Sequence, residues 1–380
     1  MTEAPLKGLR VLELARVLAG PWIGQTLADL GADVIKVEAP QGDDTRQWGP
    51  PWIDHKGERA AAYYHACNRG KRSITADFRT EEGRELVRKL AARSDVLVEN
   101  FKHGGLAKYG LDYATLSALN PRLVYCSVTG FGHTGPYADY AGYDFIIQGM
   151  SGLMDLTGEA DGAPQKIGIA IADLLTGLYG VIAIQAALAA RGTTGKGRHI
   201  DMALMDCLTG VLSNQAMNYL VTKKSPRRMG PAHPNIVPYQ AFPVTDGYLI
   251  IAVGNDGQYQ RLVELLELEA GRAPEFATNS GQVEHRARLV PLIAEQTRKW
   301  SRADLLQACE DHTIPAGPIN TLAEVFNDPQ TIAREMAILV DGVPGVRTPI
   351  TFTGSELALD KASPRLDEHR AEILAELTSG

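Results

Sequence analysis

The chain has 380 residues, of which 44% are hydrophobic and 22% are charged, and its formal net charge is -7. These values are typical of a soluble globular protein with room for two domains. The acidic balance argues against a protein that binds nucleic acid, because such proteins usually carry a basic face.

The cysteines predict a reducing compartment and no metal centre. None of them stands in a CxxC pair or beside a histidine at metal-ligand spacing: they are Cys67, Cys126, Cys207 and Cys309. The first residues, MTEAPLKGLRVLEL, lack the basic and apolar segments of a secretory signal. We therefore expect a cytoplasmic protein whose thiols are reduced and mostly buried.

Strands and helices alternate over the first 130 residues. Apolar runs predict strands at 9–14, 33–37, 95–98 and 123–128, and helical patterns lie between them at 21–31, 80–93 and 113–119. Such alternation predicts an α/β fold, with a mostly parallel sheet covered by helices on both faces. A nicotinamide-binding Rossmann enzyme is disfavoured, because the segment ARVLAGPWIGQ after the first strand lacks G-x-G-x-x-G.

Three loops are expected at one edge of this sheet. They are 16–21 (RVLAGP), 68–74 (NRGKRSI) and 98–105 (VENFKHGG), and Lys108 follows the last of them. The loops of open parallel sheets border a ligand crevice at the strands' carboxyl ends. Cations, an aromatic ring and an amide at one edge suit a ligand with a planar ring and several phosphates. A solvated basic surface is the simpler alternative.

The segment 166–191 predicts a long apolar helix around which the chain is organised. Asp173 is followed by a run from 174 to 190 without any charge, and small residues recur there at helical spacing. This pattern predicts a core helix packed on several sides, since Thr176 and Gln185 interrupt a run that is short for a membrane span. The positive end of the helix dipole favours an ionised Asp173, which could be a plain helix cap or a nucleophile.

A proline-rich break at 226–238 predicts a domain boundary. Beyond it, 239–253 predicts a small antiparallel sheet with a hairpin turn at 245–247, followed by helices. From about 319 the chain is expected to return to the first domain, with a strand near 347–352 and a last helix over 367–377. The predicted domains are therefore 1–225, 226–318 and 319–380, the last belonging to the first domain.

Five motifs, in this order and spacing, resemble the family III CoA-transferases, the group that includes formyl-CoA transferase. They are RVLAGP, NRGKRSI, VENF, AGYD at 141–144 and IADLLTG at 171–177. The resemblance implies a large Rossmann-like domain made by both ends of the chain, a smaller α+β domain, and an interlocked homodimer. It also implies that coenzyme A is a substrate, with small carboxylic acids as the other partners. We expect no permanent cofactor and no membrane partner.

The resemblance also assigns residues. Asp173 matches the family's catalytic aspartate, Asp144 an assisting acid and Tyr143 its neighbouring tyrosine. The positions that contact coenzyme A map onto Val17, Asn100, Phe101 and Lys108, with Lys71 and Arg72 nearby. The implied mechanism starts with attack of Asp173 on the donor thioester and passes through mixed-anhydride and aspartyl-CoA thioester intermediates.

Two alternatives share parts of this pattern. An α-methylacyl-CoA racemase would need acid/base groups on both faces of the substrate carbon, and the family's racemases carry histidine where this chain has Tyr143. A CoA-binding protein without turnover would not need the intact Asp173.

The acceptor acid is indicated by another stretch. AHPNIVPYQAF at 232–242 resembles the branch of the family that moves CoA between succinate and glutarate. Formyl-CoA transferase has consecutive glycines where this chain has VGNDGQ, and a glutamine where it has Leu18, so we expect a dicarboxylate other than oxalate. The candidate substrate contacts are Arg46, His233, Gly254 and Asn255.

Overall fold

The computed structural model describes residues 3–379, which divide into two compact units. The first unit comprises Met1–Leu153, Lys166–Thr222 and Pro329–Gly380, and the second comprises Met154–Gln165 and Lys223–Asp328. The predicted domain boundaries differ from these units in three places: residues 154–165, 223–225 and 319–328 belong to the second unit and not to the first.

The strands of the described chain are listed here in order: β1 (Arg10–Glu13), β2 (Asp33–Glu38), β3 (Trp52–His55), β4 (Glu58–Ala61), β5 (Arg72–Thr75), β6 (Val96–Glu99), β7 (Val124–Thr129), β8 (His199–Ala203), β9 (Tyr239–Val244), β10 (Gly247–Ala252), β11 (Ala316–Pro318), β12 (Ala337–Val340) and β13 (Val343–Val346).

The α-helices are α1 (Ala19–Asp29), α2 (Ala62–His65), α3 (Glu81–Ala92), α4 (Tyr113–Leu119), α5 (Asp144–Met150), α6 (Leu153–Leu156), α7 (Ile171–Thr194), α8 (Leu204–Gly210), α9 (Ser213–Thr222), α10 (Asp256–Leu265), α11 (Asn279–Glu284), α12 (Arg286–Thr297), α13 (Arg302–Asp311), α14 (Leu322–Asn327), α15 (Pro329–Ala333) and α16 (Arg370–Thr378).

The first unit is built on a six-stranded sheet in the order β5-β2-β1-β6-β7-β8. Every strand pair in it is parallel. Along the chain, β1, β2 and β5 extend the sheet in one direction, whereas β6, β7 and β8 extend it in the other. The order therefore reverses between β1 and β6, and this is where parallel sheets form a ligand crevice at their carboxyl ends.

Alternate residues of each strand enter two different cores, one on either face of the sheet. Val11 packs with Ile23 of α1 and Ile184 of α7. Its neighbour Leu12 packs on the opposite face with Leu90 of α3. Side chains therefore alternate between two apolar faces of the sheet, which explains why each strand is a continuous hydrophobic run in the sequence. The predicted α/β layers are confirmed.

Helix α7 packs closely against α1. A Cβ added at Gly180 would lie 2.5 Å from Ile23 Cδ1, so glycine is needed for the approach of the two helices. The opposite side is not covered: Leu178, Tyr179 and Ile182 are 42–62% exposed. The prediction of a helix packed on several sides is confirmed, since α7 also contacts α5, α8 and the strands β7 and β8; the exposed face lacks a partner in the single chain. Within residues 3–379, α7 alone has the length and composition of a membrane span.

The second unit contains an antiparallel sheet in the order β11-β10-β9, packed with α10, α12 and α13 around one core. Its hairpin joins Val244 to Gly247, as the turn at 245–247 predicts. The strand expected near 347–352 is not formed; β12 and β13 make an antiparallel hairpin just before it. The last helix, α16, returns to the main sheet and places Ile373 in the core of α3.

Candidate active site

A cavity of about 180 Å³ lies at the carboxyl ends of β1 and β6 in the first unit. Its lining includes the following predicted site residues: Val17, Asn100, Phe101, Tyr143 and Asp173. They come from four separate motifs that span residues 17–173 of the sequence. The doubly wound sheet brings them together because its loops after β1 and β6 meet where the strand order reverses.

Asp173 lies in the first turn of α7 without serving as its cap. Asp144, at the start of α5, accepts a 2.8 Å hydrogen bond from the backbone N–H of Ala172 and so caps α7 from outside. The Gln148 amide donates to the other oxygen of Asp144 at 2.8 Å and holds it there. With the helix capped from α5, the Asp173 carboxyl is available to a substrate in the cavity.

The surroundings of Asp173 raise the pKa of its carboxyl to about 7. Burial is the main cause, because lost hydration disfavours the charged form, and the negative charge of Asp144 adds to it. The expected ionised carboxylate is therefore only partly present at neutral pH, because desolvation opposes the charged form. Both protonation states of Asp173 are populated near neutral pH.

Asn100 ties the loop after β1 to the loop after β6. Its amide oxygen accepts from the backbone N–H of Arg16 at 2.9 Å, and its amide nitrogen donates to the Arg16 carbonyl at 2.6 Å. The Arg16 guanidinium lies 5.9 Å from the centre of the Phe101 ring. A cation and an aromatic face are therefore held at the cavity entrance by backbone-directed hydrogen bonds.

The amino end of α1 borders the same cavity through Leu18 and Ala19. No side chain caps this helix end. The first N–H groups of an α-helix have no intrahelical partner, and they carry the positive end of the helix dipole. An oxyanion that forms on a substrate beside Asp173 would find donors there.

A second cavity, of about 340 Å³, shares Arg16, Asp44 and Phe101 with the first. It is also lined by two further aromatic residues, Phe78 and Tyr109. The exposed Lys108 places its ammonium 4.8 Å from the centre of the Tyr109 ring. The two cavities together offer an extended path from Asp173 to a region with aromatic and cationic groups.

Three predicted cationic contacts are structural instead. The ammonium of Lys71 is fully buried and donates to Glu13, to the Pro21 carbonyl at 2.8 Å and to Asn68 at 2.8 Å. A lysine with all three donors occupied inside the protein has none left for a phosphate. The prediction that Lys71 contacts coenzyme A is therefore wrong, because the sequence pattern does not show that this lysine is buried.

The predicted ligand contacts of Arg46 and Arg72 are wrong for the same reason, because both guanidinium groups are already paired with acidic side chains. Arg46 is 4% exposed and donates two 2.8 Å hydrogen bonds to Glu38, so it is not a free substrate contact. Arg72 stands at the amino end of β5, opposite to the edge of the Asp173 cavity, and pairs with Asp33 and Glu376.

The other predicted substrate contacts, His233, Gly254 and Asn255, belong to the second unit. Asn255 caps α10 by accepting from the N–H of Gln258 at 3.0 Å, and the N–H of Gly254 donates to the Gln258 side chain. His233 Nδ1 accepts from the N–H of Asn235 at 3.1 Å, and burial, with Arg286 nearby, lowers its pKa. Their contact with substrate stays a prediction.

Several lining residues were not among the predicted site residues. They are Arg16, Trp48, His103, Thr129 and Tyr140. Arg16 and His103 lie in two of the loops expected at the crevice, and Thr129 ends β7, so position in the sheet is a signal by which these three could have been found. Tyr63, which was not predicted either, does not line the cavity but is influenced by the charge of Asp173: burial, together with that charge, raises the pKa of its phenol to about 12. It stays protonated and keeps its O–H as a donor.

A doubly wound parallel sheet with a half-buried carboxyl in the crevice where its strand order reverses has the form of an α/β enzyme site. The comparison with protein families is consistent with this class. The chain belongs to CoA-transferase family III, whose model matches residues 6–370. It is therefore a CoA-transferase.

Individual relatives cover nearly the whole chain. A succinate–glutarate CoA-transferase of Agrobacterium fabrum is 57% identical over 99% of this chain and 96% of that protein. The human succinyl-CoA:glutarate CoA-transferase is 38% identical over 98% and 86%, respectively. Among solved structures, a CAIB/BAIF family protein from Brucella suis is 66% identical, with a TM-score of 0.90 over 99% of this chain and 100% of the other.

Proposed function

We propose that this protein transfers coenzyme A from succinyl-CoA to a dicarboxylic acid of the glutarate class, with Asp173 as the nucleophile. The observation that carries the proposal is the placement of Asp173 in a cavity beside the uncapped end of α1. The substrate class is supported by the names of two relatives that match nearly this entire chain.

The reaction needs four exchanges at carbonyl carbons. The Asp173 carboxylate attacks the donor thioester, and the C–S bond breaks to give a mixed anhydride and CoA thiolate. The thiolate then attacks the Asp173 carbonyl carbon and displaces the donor carboxylate, which leaves an aspartyl-CoA thioester. The acceptor carboxylate attacks this thioester and releases the thiolate from a second anhydride. Attack of the thiolate on the acceptor carbonyl gives the new acyl-CoA and restores Asp173.

Each exchange builds negative charge on a carbonyl oxygen and none requires a proton from the protein. The N–H groups at the start of α1 are the donors best placed to stabilise that charge. The anhydrides would be lost to hydrolysis if water reached them, and the half-buried position of Asp173 restricts this access.

The remainder of coenzyme A is assigned to the second cavity. Arg16, Phe101 and Tyr109 are its candidate contacts, together with Lys108 at the rim of this region. Aromatic faces suit the adenine ring, and the cations suit its phosphates. No observation favours the racemase or a CoA-binding protein without turnover.

The experiment is a panel of acceptors. Purified protein is incubated with succinyl-CoA and one of glutarate, oxalate, acetate or 2-methylacyl-CoA, and the acyl-CoA products are separated by chromatography and weighed by mass spectrometry. We expect glutaryl-CoA to form much faster than oxalyl-CoA or acetyl-CoA. Epimerisation of 2-methylacyl-CoA without any acceptor, with no CoA transfer, would instead establish the racemase.

We further propose that the protein is a homodimer, with the interlocking that the family resemblance implies. An apolar surface of the first unit, which we call the α5–α7–α9 surface, supports this. Its exposed members are Tyr143, Phe145, Ile146, Met150, Leu178, Tyr179, Ile182, Met217, Leu220 and Val221. Monomeric proteins seldom expose so many large apolar side chains on one unit, and a second copy of the chain is the occupant we assign.

The dimer is tested by light scattering coupled to size exclusion. The wild-type protein is expected at twice the chain mass of 41.1 kDa. Ile182→Asp, which puts a charge on the α5–α7–α9 surface, is expected to give monomer or unassembled protein, because an unpaired charge in an apolar interface is costly. Lys89→Asp introduces an aspartate at an exposed site on α3 and should leave the mass unchanged. A wild-type monomer would contradict the proposal.

A further inference from the structure

We propose that Asp43 is a positioning residue of the transfer reaction: its carboxylate holds the turn between β1 and α1, at Val17, in the conformation that borders the Asp173 cavity. This inference rests on the proposed function, since it assigns Asp43 a part in that chemistry. Asp43 does not line the Asp173 cavity. Its backbone position borders the second cavity, but its side chain is 1% exposed and its carboxylate is occupied by Lys36, Thr45 and Val17, so it acts through Val17 and the start of α1.

Val17 has an unfavourable backbone conformation. Its φ angle is 71°, in the left-handed region that glycine adopts readily. Valine is branched at Cβ, and such residues avoid this region most strongly because Cβ meets the neighbouring carbonyl oxygen. A strained residue persists only where its surroundings determine it, and such residues concentrate at functional sites. Val17 is one of the residues that line the cavity.

Side chains from other parts of the sheet bind the turn on both sides of the strained residue. The Ala15 carbonyl accepts from Lys36 at 2.9 Å, and both backbone groups of Arg16 bind Asn100. The N–H of Val17 donates to the Asp43 carboxylate, with distances of 3.2 and 3.4 Å to its two oxygens. Among these partners, Asp43 holds the N–H of the strained residue itself.

Asp43 is itself held firmly. Its carboxylate contacts the ammonium of Lys36 at 3.0 Å and accepts from the N–H and the hydroxyl of Thr45 at 3.0 and 2.8 Å. Burial works against the charged form of Asp43, but Lys36 and Thr45 outweigh it and keep its pKa below the ordinary value. The acceptor for Val17 is therefore a fixed, charged oxygen pair, which binds an N–H more strongly than a neutral group does.

The consequence for the reaction lies in the next residues. Leu18 and Ala19 follow Val17 directly and form the uncapped start of α1 at the cavity. If residue 17 left its left-handed conformation, these N–H groups would turn away from the carbonyl oxygen that gains charge in the transition state. Misplacement by about 1 Å costs on the order of 100-fold in rate. Asp43 should therefore affect kcat more than KM.

The test is a double-mutant cycle between Asp43→Ala and Val17→Gly, with succinyl-CoA and glutarate as substrates. In the wild-type background, Asp43→Ala is expected to lower kcat by roughly 10- to 100-fold, with a smaller change in KM. In the V17G background the same change should cost no more than about threefold, because glycine adopts a positive φ without the Cβ penalty. Equal losses in both backgrounds would overturn the proposal.

A loss of folded protein must be separated from a loss of rate. The succinate released from succinyl-CoA in the first half-reaction, without acceptor acid, counts active sites, and kcat is expressed per site. Asp29→Asn is the matched control: Asp29 is buried and pairs with Arg69 at the far end of α1. It should lower the melting temperature without lowering kcat per site. If Asp43→Ala lowers only the number of active sites, Asp43 is structural and the proposal fails.

Asp43→Asn covers the case in which the alanine variant does not fold, since the amide keeps the shape and loses the charge. Its kcat should fall less than that of Asp43→Ala, and this decrease should again be smaller in the V17G background. If the wild-type protein transfers CoA but the Asp43 substitution lowers kcat equally in both backgrounds, only the role of Asp43 is refuted. A wild-type protein without CoA transfer would refute the proposed function, and the role of Asp43 with it.

Discussion

Replacing Asp173 by asparagine is expected to lower kcat/KM for CoA transfer by about 10⁴-fold or more, with affinity for free coenzyme A retained. Loss of a covalent nucleophile removes the pathway itself, and such losses are among the largest that single substitutions produce. The asparagine keeps the shape of Asp173 in the first turn of α7, and the cap of that helix comes from Asp144 and is not disturbed.

The measurement is the rate of glutaryl-CoA formation, with coenzyme A affinity determined by calorimetry. Hydroxylamine added with succinyl-CoA should modify Asp173 in the wild-type protein and leave the variant unmodified. Asp206→Asn is the matched control, because Asp206 is also in the first turn of its helix, α8, and does not line the cavity. It should retain wild-type activity. Transfer that survives in Asp173→Asn would remove this residue from the mechanism.

The same substitution has a predicted effect on stability. The pKa of Asp173 is about 7 in the folded protein, above its ordinary value of 3.8. A carboxyl with a raised pKa destabilises the fold at pH values above that pKa, and the penalty disappears below the unfolded value. Asp173→Asn should therefore be more stable than wild type at pH 8, by roughly 2 kcal/mol after allowance for partial exposure, and not at pH 3.5. Chemical denaturation at the two pH values measures the difference.

The pH dependence of the reaction is the second large effect. Only the ionised form of Asp173 can attack a thioester, so kcat/KM should fall about tenfold per pH unit below pH 7 and reach a plateau above pH 8. An unperturbed aspartate would give a flat profile down to about pH 4. The profile therefore distinguishes a desolvated nucleophile from an ordinary exposed carboxylate.

Glu99 is a further buried group that could produce the same profile. Burial raises the pKa of Glu99 to about 7, even though the N–H of Phe101 donates to its carboxylate at 2.8 Å. Glu99→Gln is therefore the control. If Asp173 governs the reaction, this variant keeps the wild-type midpoint near pH 7. A profile that becomes flat in Glu99→Gln would assign the titration to Glu99 and contradict the assignment to Asp173.

Much of the first unit follows from local pattern. Apolar runs predicted the strands β1, β2, β6 and β7 within a residue or two, and the parallel order then required their carboxyl ends to lie together. For this reason the motifs at Val17, Asn100 and Phe101 could be placed at one edge before any coordinates. The acid before a long uncharged helix left Asp173 as either a helix cap or a nucleophile, and the family resemblance assigned it as the catalytic aspartate.

Other features depended on distant parts of the chain. Whether a cationic side chain can contact a ligand depends on its partners in the fold. Lys71 is paired with Glu13, 58 residues away in the sequence. Arg16, by contrast, is exposed at the entrance of the cavity. NRGKRSI is a basic cluster in sequence, yet Arg69 and Lys71 neutralise the buried Asp29 and Glu13, and Arg72 pairs with the partly buried Asp33. The pattern could not separate the two cases, because charge is visible in a sequence and burial is not.

The sequence by itself thus determined the layers of the fold, the family and the identity of the candidate nucleophile, because these depend on residue type and spacing along short segments. Only the tertiary structure decided the protonation of Asp173, the face of α7 left uncovered and the hold of Asp43 on Val17. The physical reason is common to all three. Desolvation, packing and the geometry of a hydrogen bond depend on distances between residues that the folded chain, and not its local order, brings together.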